Sequence, residues 1–324
     1  MMQVTEFNPL SPEFQANPYP YYEMLRENMP MFFLPDWNMW FLTRYEDNAA
    51  ALKDPRFGRE ITSVMTPQEL GWVLETPEQV QPLYDMQNSW MLLKDPPDHT
   101  RLRTLVHKAF TPRMIERLRE RAQSITEGLI DKAQANGGMD LIADFALLLP
   151  VTVIGEMLGV PAEDYAILHK WSHDLAHTLE LVQENAVFER GAEATVEFSA
   201  YIQDMIEQRR KLPQDDLISA LVAAEAEGDK LNEDEMVAMC ILLLFAGHET
   251  TVNLIGNGTF ALLRHPEQWE KLKADPTLVK PAVEELLRYD SPVQLTSRWA
   301  GRRRSSGHPR GSRGGAAPQR AAVG

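Results

Sequence analysis

Four consecutive polar residues, His248, Glu249, Thr250 and Thr251, interrupt an otherwise apolar run of the sequence. Burying a carboxylate and two hydroxyls in such surroundings is costly unless hydrogen-bond partners satisfy them. An acid beside an alcohol can relay protons from solvent into a dry pocket, and the preceding Gly247 permits close approach of a flat ligand. A proton-delivering site is therefore one interpretation of this segment. The alternative is a helix kink whose polar groups are satisfied internally.

The pair His248-Glu249 matches the first two positions of the zinc-protease motif H-E-x-x-H. That motif requires a second histidine at position 252, where the sequence has Val252. The zinc-protease interpretation is therefore excluded.

Three histidines on one predicted helix face offer another metal-binding pattern. His169, His173 and His177 recur every four residues, and imidazoles at this spacing can chelate a metal. Asp174 and Glu180 lie nearby in the sequence, but no paired carboxylate completes an obvious site. We therefore favour a polar or pocket-lining helix face and assign no metal ligand in this chain.

A second polar motif, D-P-P-D-H-T-R-L-R at 95–103, begins a predicted helix, because proline favours the first helical turn. His99 and Arg103 are four residues apart and share one face of that helix. Such a pair suits a ligand that bears carboxylates or phosphates, although solvated surface charge explains the same pattern. A further pair, Glu285 and Arg288, has the spacing of an ordinary surface ion pair and by itself indicates little.

Composition indicates an ordinary globular protein of a reducing compartment. Of the 324 residues, 44% are apolar and 24% are charged, and the single cysteine, Cys240, excludes an internal disulfide. The net charge of −15 disfavours nucleic acid and anionic membranes as partners. No apolar run reaches the ~18 residues of a membrane span, and the first residues lack the pattern of a signal peptide. We therefore expect a cytoplasmic protein without a membrane anchor.

Residues 301–324 differ from the rest of the chain. They contain six arginines, no lysine and no acidic residue, so residues 1–300 carry a charge of −21 against −15 for the whole chain. Six glycines and a single large aliphatic residue, Val323, leave too little apolar area for independent folding. We expect a disordered tail, whose composition favours an out-of-frame reading. A basic tail that binds nucleic acid is the alternative.

Helical periodicity dominates the sequence and predicts a mainly α fold, with one short strand pair at 31–34 and 39–42. The longest helix spans 232–264: Asn232 is a good N-cap with Glu235 three residues on, and a proline forbids continuation past 265. About 33 residues at 1.5 Å each give roughly 50 Å, a length suited to an element that crosses the whole molecule. The other helices are predicted at about 21–27, 45–53, 98–109, 112–135, 141–158, 163–181, 186–211, 215–227, 266–274 and 277–289.

Three motifs, in this order and spacing, resemble the cytochrome P450 haem-thiolate monooxygenases, and the expected lack of a membrane anchor resembles their soluble bacterial type. The motifs are D-P-P-D-H-T-R-L-R at 95–103, A-G-H-E-T at 246–250 and E-L-L-R at 285–288. The resemblance covers essentially all of residues 5–300. It implies a helical bundle with a long central helix and small β-sheets, as one incomplete domain over 1–300 that lacks the loop bearing the iron-ligating cysteine.

The resemblance also implies roles for individual residues. Ala246 and Gly247 are expected to lie against the distal face of haem b, where O2 binds. Glu249 and Thr250 are expected to deliver protons during dioxygen activation. The remaining roles are haem-propionate binding by His99, Arg103 and Arg298, a buried structural ion pair of Glu285 and Arg288, and a substrate pocket lined by Leu243, Val293 and Leu295 under a roof formed by 80–93 and 163–181.

The position of the cysteine departs from the family pattern. The family places its iron-ligating cysteine in a Phe/Gly-rich loop after the position of Arg298, and the resemblance stops near Ala300. Cys240 does not replace it, because it precedes Gly247 on the same distal helix by about 10 Å along the axis. We therefore expect residues 1–324 to lack normal monooxygenase activity, since the thiolate supplies the electron push for O–O cleavage.

The activity implied by the resemblance is insertion of one oxygen atom of O2 into an apolar small molecule, such as a fatty acid, terpenoid or macrolide. A ferredoxin or flavodoxin is the implied redox partner. The main alternative is a non-catalytic helical remnant that binds a ligand or partner without haem. A nucleic-acid binder acting through the basic tail is the least favoured interpretation.

Overall fold

The chain forms two compact units, each discontinuous in sequence. The first comprises Met1–Glu75, Leu92–Pro97 and Val293–Gly324, and the second comprises Thr76–Met91 and Asp98–Pro292. The predicted domain boundary at residue 300 stays a prediction. The computed structural model describes residues 7–37, 39–60, 77–180, 184–226, 231–300 and 320–323.

The described residues of the first unit form three α-helices and a small sheet. Its helices are α1 Pro12–Ala16, α2 Tyr19–Asn28 and α3 Tyr45–Lys53, and its strands are β1 Met31–Leu34, β2 Met39–Leu42, β3 Phe57–Gly58, β4 Thr296–Ala300 and β5 Arg320–Val323. The strand order is β1-β2-β5-β4-β3, and β1 and β2 pair antiparallel, which agrees with the predicted strand pair. Alternate side chains of these two strands enter an aromatic core, in which the Phe32 and Phe41 rings stack with centroids 5.4 Å apart.

Strand β5 lies inside the tail for which the sequence predicts no regular structure. It pairs parallel with β2 and antiparallel with β4, so it occupies the centre of the sheet. The expectation of disorder is wrong for this strand, because a backbone placed between two strands satisfies its N–H and C=O groups whatever its side chains are. The rest of 301–324 lies outside the described residues.

The second unit is helical, so the predicted mainly α class is confirmed. Two predicted helices differ in extent. The segment 141–158 begins with a π-helical turn, Ile142–Ala146, and the segment 163–181 ends at His177, where the N–H and hydroxyl of Thr178 both bond to the Leu175 carbonyl. The helices are α4 Gln81–Ser89, α5 Asp98–Ala109, α6 Pro112–Asn136, α7 Leu148–Leu158, α8 Tyr165–His177, α9 Asn185–Lys211, α10 Leu217–Ala226, α11 Glu233–Arg264, α12 Pro266–Ala274 and α13 Val279–Tyr289.

The long helix α11 has the boundaries that its end signals predict. Asn232 Oδ1 accepts the backbone N–H of Glu235 at 2.8 Å, and Glu235 Oε2 accepts the N–H of Asn232 at 3.1 Å, which completes a capping box. The helix ends at Arg264, before the predicted proline stop. It packs against α7, α8 and α9, and most of its first half is buried. The second unit is therefore organised around the helix that carries residues 246–251.

The same helix is the one helix, within the described part of the chain, whose length and composition would let it cross a membrane. Half of its most apolar window is buried inside the protein. A core helix of a soluble protein meets the same criteria, so this finding is weak evidence for membrane insertion.

Candidate active site

Two small residues form an exposed patch in the middle of α11. Phe245 and His248 are 8% and 0% exposed, whereas Ala246 and Gly247 between them are exposed. A Cβ atom added to Gly247 would lie 3.6 Å from Ile154, an ordinary contact, so packing within the unit does not demand glycine here. The patch suits a flat ligand that lies close to the helix.

Both threonines that follow the patch bond to their own helix. The Thr250 hydroxyl donates to the Ala246 carbonyl at 2.7 Å, and the Thr251 hydroxyl donates to the Gly247 carbonyl at 2.9 Å. The hydroxyls are thus satisfied internally, as the kink alternative requires, yet α11 is continuous across them. Each hydroxyl oxygen keeps lone pairs that can accept another hydrogen bond. Thr250 therefore retains the capacity to bind a ligand.

Glu249 points toward helix α8. Its Oε1 lies 3.6 Å from Nδ1 of His248 and 4.0 Å from Nδ1 of His173. That oxygen is buried without a hydrogen-bond partner among the described residues, although the whole side chain is 15% exposed. Burial acts to raise the pKa of this carboxyl, but the His248 imidazole and the charges of His173 and His169 outweigh it, so the pKa lies below its ordinary value. Glu249 is therefore a carboxylate at neutral pH.

Histidines from α8 and α11 surround that carboxylate. The rings of His169 and His248 meet edge to face with centroids 5.0 Å apart. Both ring nitrogens of His248 and Nδ1 of His169 are buried and have no hydrogen-bond partner in the described part of the chain. Leaving such a group unpaired costs about 1–3 kcal/mol. Burial, together with the nearby His248, lowers the pKa of His169.

The predicted anion-binding residues of α5 are available for a ligand. His99 is half-buried and Arg103 is exposed, and neither side chain forms a hydrogen bond or ion pair within the described residues. The neighbouring Arg101 has a different task that the sequence did not reveal. Its guanidinium pairs with both carboxylate oxygens of Glu235 at 2.5 and 3.0 Å, which ties α5 to the first turn of α11.

Arg298, in the first unit, is half-buried on β4. Its guanidinium donates to the Thr296 hydroxyl at 3.2 Å and to the Ser297 carbonyl at 2.8 Å, both neutral acceptors. Burial lowers the pKa of Arg298, and the charge of Asp95 opposes that shift. A half-buried guanidinium with neutral partners favours the approach of a carboxylate. That Arg298 acts together with His99 stays a prediction.

The ion pair Glu285–Arg288 forms, but it is not buried. Arg288 donates to both carboxylate oxygens of Glu285 at 2.7 and 2.6 Å, while the two side chains are 70% and 57% exposed. This hydrogen bonding lowers the pKa of Glu285. The expectation of a buried pair is therefore wrong for this structure, because helix α13 has no buried residue.

The side chains expected to line a substrate pocket differ in exposure. Leu243 and Leu295 are half-buried, and Val293 is 56% exposed. Phe245 lies two residues after Leu243 on the same helix. The buried Trp90 ring stacks on the Phe245 ring, with centroids 5.5 Å apart and planes inclined by 15°. The pocket and its roof at 80–93 and 163–181 stay predictions.

A thiolate-ligated haem requires residues that contact the ring and its propionates, and a cysteine that ligates the iron. The exposed patch beside Glu249 and Thr250 fits the distal side. His99, Arg103 and Arg298 are each of a residue type that suits a propionate, and their joint role stays a prediction. The only cysteine of the sequence does not fit the iron, since Cys240 is fully buried in α11 and desolvation raises the pKa of its thiol to about 12. The described residues therefore suit the distal side and the propionates, whereas Cys240 does not suit the iron.

The central helix α11 thus carries a small, exposed patch followed by an acid and an alcohol. Residues 79–300 match the family model described as Cytochrome P450, and the chain belongs to that family. Members of the family are haem monooxygenases that use haem b and O2, with small-molecule substrates and redox partners.

Relatives confirm the fold that the sequence predicted. Polyketide biosynthesis cytochrome P450 PksS of Bacillus subtilis is 42% identical over 306 residues, covering 92% of this chain and 73% of PksS. The structure of P450BioI in complex with an acyl carrier protein ligated by hexadec-9Z-enoic acid has a TM-score of 0.80 and 41% identity, covering 90% of this chain and 73% of that one. Myxobacterial CYP267B1 in complex with myristic acid has a TM-score of 0.77 and 40% identity, covering 90% and 72%. The chain thus spans about three quarters of these relatives' length.

Proposed function

We propose that this chain provides the dioxygen-handling side of a haem monooxygenase that inserts one oxygen atom of O2 into an apolar small molecule. The observation that supports this proposal is the exposed patch of Ala246 and Gly247, set beside Glu249 and Thr250 in the middle of a helix whose first half is otherwise buried. A small-residue patch admits a flat ring, and the adjacent acid and alcohol can handle protons.

Each residue of the site has its own task. Haem, when bound, supplies the redox chemistry. Ala246 and Gly247 let the ring approach the helix backbone. Thr250 holds a proton at Oγ1, which it turns from the Ala246 carbonyl toward the distal ligand. Glu249 is ionised and 15% exposed, so it can take up protons from solvent and pass them inward.

Basic side chains are proposed to hold carboxylates of the cofactor. His99 and Arg103 share one face of α5 and have no protein partner in the described part of the chain, so a ligand carboxylate displaces no existing ion pair. Arg298 exchanges neutral acceptors for an anionic one, which strengthens its hydrogen bonds.

The substrate class is apolar. Leu243 and Leu295 offer half-buried aliphatic surface. P450BioI and CYP267B1, the structural relatives described above, are complexes with the long-chain hexadec-9Z-enoic and myristic acids. We therefore test long-chain fatty acids first, and terpenoids and macrolides next.

Electrons are proposed to come from a ferredoxin or a flavodoxin, and neither nucleic acid nor a membrane anchor takes part. The charge of −15 supports the exclusion of nucleic acid. A cytoplasmic location is proposed with it, supported by the single cysteine and by the burial of half of the apolar window of α11.

Residues 1–324 alone are proposed to be inactive. Cys240 is the one thiol of the sequence, and its raised pKa and complete burial oppose the thiolate form that iron requires. The same observation supports the second candidate function, a haem-free helical protein that binds a ligand or partner.

The test is a carbon monoxide difference spectrum of the reduced, haem-reconstituted chain. We expect no band at the thiolate-ligated position for residues 1–324. We expect that band in a chimera of residues 1–300 with the C-terminal part of PksS. A thiolate band from residues 1–324 contradicts the proposed inactivity, and a folded chimera without haem favours the haem-free function.

Proton delivery is tested in the same chimera by Thr250→Ala against Thr251→Ala. Both threonines make the same bond to a carbonyl four residues back, so the pair is matched for helix effects. We expect Thr250→Ala to lower product formed per O2 consumed and to release the difference as peroxide, while Thr251→Ala keeps the parent ratio. Equal ratios in the two variants contradict the role of Thr250.

A further inference from the structure

A cluster of three potential metal ligands joins α8 to α11. One ligand atom from each of His169, His248 and Glu249 lies within 4.8 Å of the others. His248 is 0% exposed, and neither of its ring nitrogens has a hydrogen-bond partner among the described residues. The Nδ1 atom of His169 and Oε1 of Glu249 are likewise buried without such a partner. Buried polar atoms that converge without satisfying one another mark a place for a further ligand.

We propose that His169, His248 and Glu249 bind a divalent transition-metal ion, with Zn²⁺ as the best match. Two imidazoles and one carboxylate are ordinary zinc ligands. Bonds of 2.0–2.2 Å in tetrahedral geometry place ligand atoms about 3.4 Å apart. The 3.6 Å between His248 Nδ1 and Glu249 Oε1 is close to that value. One ligand atom of each of the three residues lies within 4.8 Å of the others, so small side-chain movements are enough to complete the site.

A metal ion binds this cluster when its imidazoles are neutral and its carboxylate is ionised. A fourth position is open to His173, whose Nδ1 lies 4.0 Å from Glu249 Oε1, or to water.

A second histidine pair lies next to this cluster and must be distinguished from it. His173 and His177 have their Nε2 atoms 3.1 Å apart, and their side chains are 55% and 40% exposed. Glu180 Oε1 lies 3.3 Å from His177 Nδ1, so this pair already has a carboxylate neighbour. The buried cluster has the stronger claim, because both ring nitrogens of His248 and Nδ1 of His169 lack a hydrogen-bond partner among the described residues.

Zinc binding has a functional consequence, which rests on the proposed role of Glu249. A carboxylate oxygen that coordinates a cation cannot also take up a proton. We therefore expect Zn²⁺ to inhibit proton delivery to Thr250 without touching the exposed patch.

The site is tested by titrating the purified, haem-free chain of residues 1–324 with Co²⁺, whose visible spectrum reports tetrahedral N/O ligation, and displacing it with Zn²⁺. We expect one equivalent to bind. His169→Gln, His248→Gln and Glu249→Gln should each lower Zn²⁺ affinity more than about 100-fold. Such a loss is larger than the loss expected for a residue that only orients a metal ligand. His107→Gln, an exposed histidine of α5, is the control and should bind like the parent.

Two results overturn the site: no tight binding by the parent chain, or binding that survives Glu249→Gln and disappears in His177→Gln. Circular dichroism checks that each variant folds. If the variant at the fully buried His248 does not fold, the variants at the half-buried His169 and Glu249 decide. Inhibition is measured separately in the chimera. Zinc that binds without inhibiting contradicts the role of Glu249 and leaves the site standing, whereas absence of binding removes the site and leaves the proposed function intact.

Discussion

The change Asp216→Asn is expected to destabilise the second unit strongly, because it leaves a buried guanidinium without its counter-charge. The side chains of Arg209 and Asp216 are 7% and 4% exposed, and Arg209 Nε lies 2.5 Å from Asp216 Oδ2. Arg209 also donates to the carbonyl of Gly159, the residue that caps α7, at 2.9 Å. Asp216 Oδ1 accepts the N–H of Ser219 at 2.8 Å. We call these four residues the junction.

The size of the stability loss depends on the Arg209 charge, which stays buried in the variant. Removing one partner of a buried ion pair costs about 3–5 kcal/mol, since the other partner stays desolvated. Asparagine keeps the shape of Asp216 and its bond from Ser219, so the change isolates the charge. At about 2–4 °C per kcal/mol, the melting temperature should fall by about 6–20 °C.

Thermal and urea unfolding followed by circular dichroism measure the effect. The matched control is Asp215→Asn at the neighbouring position. The Asp215 carboxylate pairs with Arg117, but the side chains are 80% and 50% exposed, so solvent replaces most of what is lost. Similar melting temperatures for the two variants would refute the reasoning that burial decides the cost.

Three further predictions follow, and the first two use the same unfolding assays. Gly159→Ala should destabilise the chain far more than Gly137→Ala: both glycines have positive φ, 79° and 76°, but a Cβ at Gly159 collides with the junction carboxylate and one at Gly137 meets open space. The hydrogen bonds from Arg101 hold the pKa of Glu235 below its ordinary 4.5, so its stabilisation is complete above that pH and is lost as the pH falls through the lower folded-state pKa. Glu235→Gln should therefore be less stable than the parent at neutral pH, with the gap closing in acid; a gap that persists there contradicts the linkage. Burial raises the pKa of Cys240 to about 12, so iodoacetamide at mildly alkaline pH should modify it only after unfolding, as mass spectrometry would show.

Local signals predicted most of the helical frame. The bounds of α11 follow from the Asn232 cap and the proline stop, both of which act within a few residues of sequence. The Arg101–Glu235 pair and the meeting of His169 with His248 could not be predicted in the same way. They depend on how helices pack, and no spacing along one helix encodes that. Strand β5 also lay beyond prediction, because its partners rather than its side chains define it.

The exposure of Glu285–Arg288 shows a different limit. The pair itself follows from its spacing on one helix turn, and the structure forms it with bidentate geometry. Burial was implied by the resemblance, and burial depends on what covers helix α13. A motif therefore predicts which side chains meet within an element, whereas the environment of that element has to be observed.

The ring nitrogens of His248, which have no hydrogen-bond partner among the described residues, allow a last prediction about the metal-free chain. If no protein group satisfies this imidazole, His248→Leu removes an unpaired buried group while nearly preserving side-chain volume. We expect the variant to be as stable as the parent in urea with a chelator present, or more stable by about 1 kcal/mol. With saturating Zn²⁺ the order should reverse, because only the parent gains stability from binding. A large loss of stability with the chelator present would show that His248 has a stabilising role of its own. If the parent chain is equally stable with and without Zn²⁺, metal binding does not explain why a polar residue occupies this buried position.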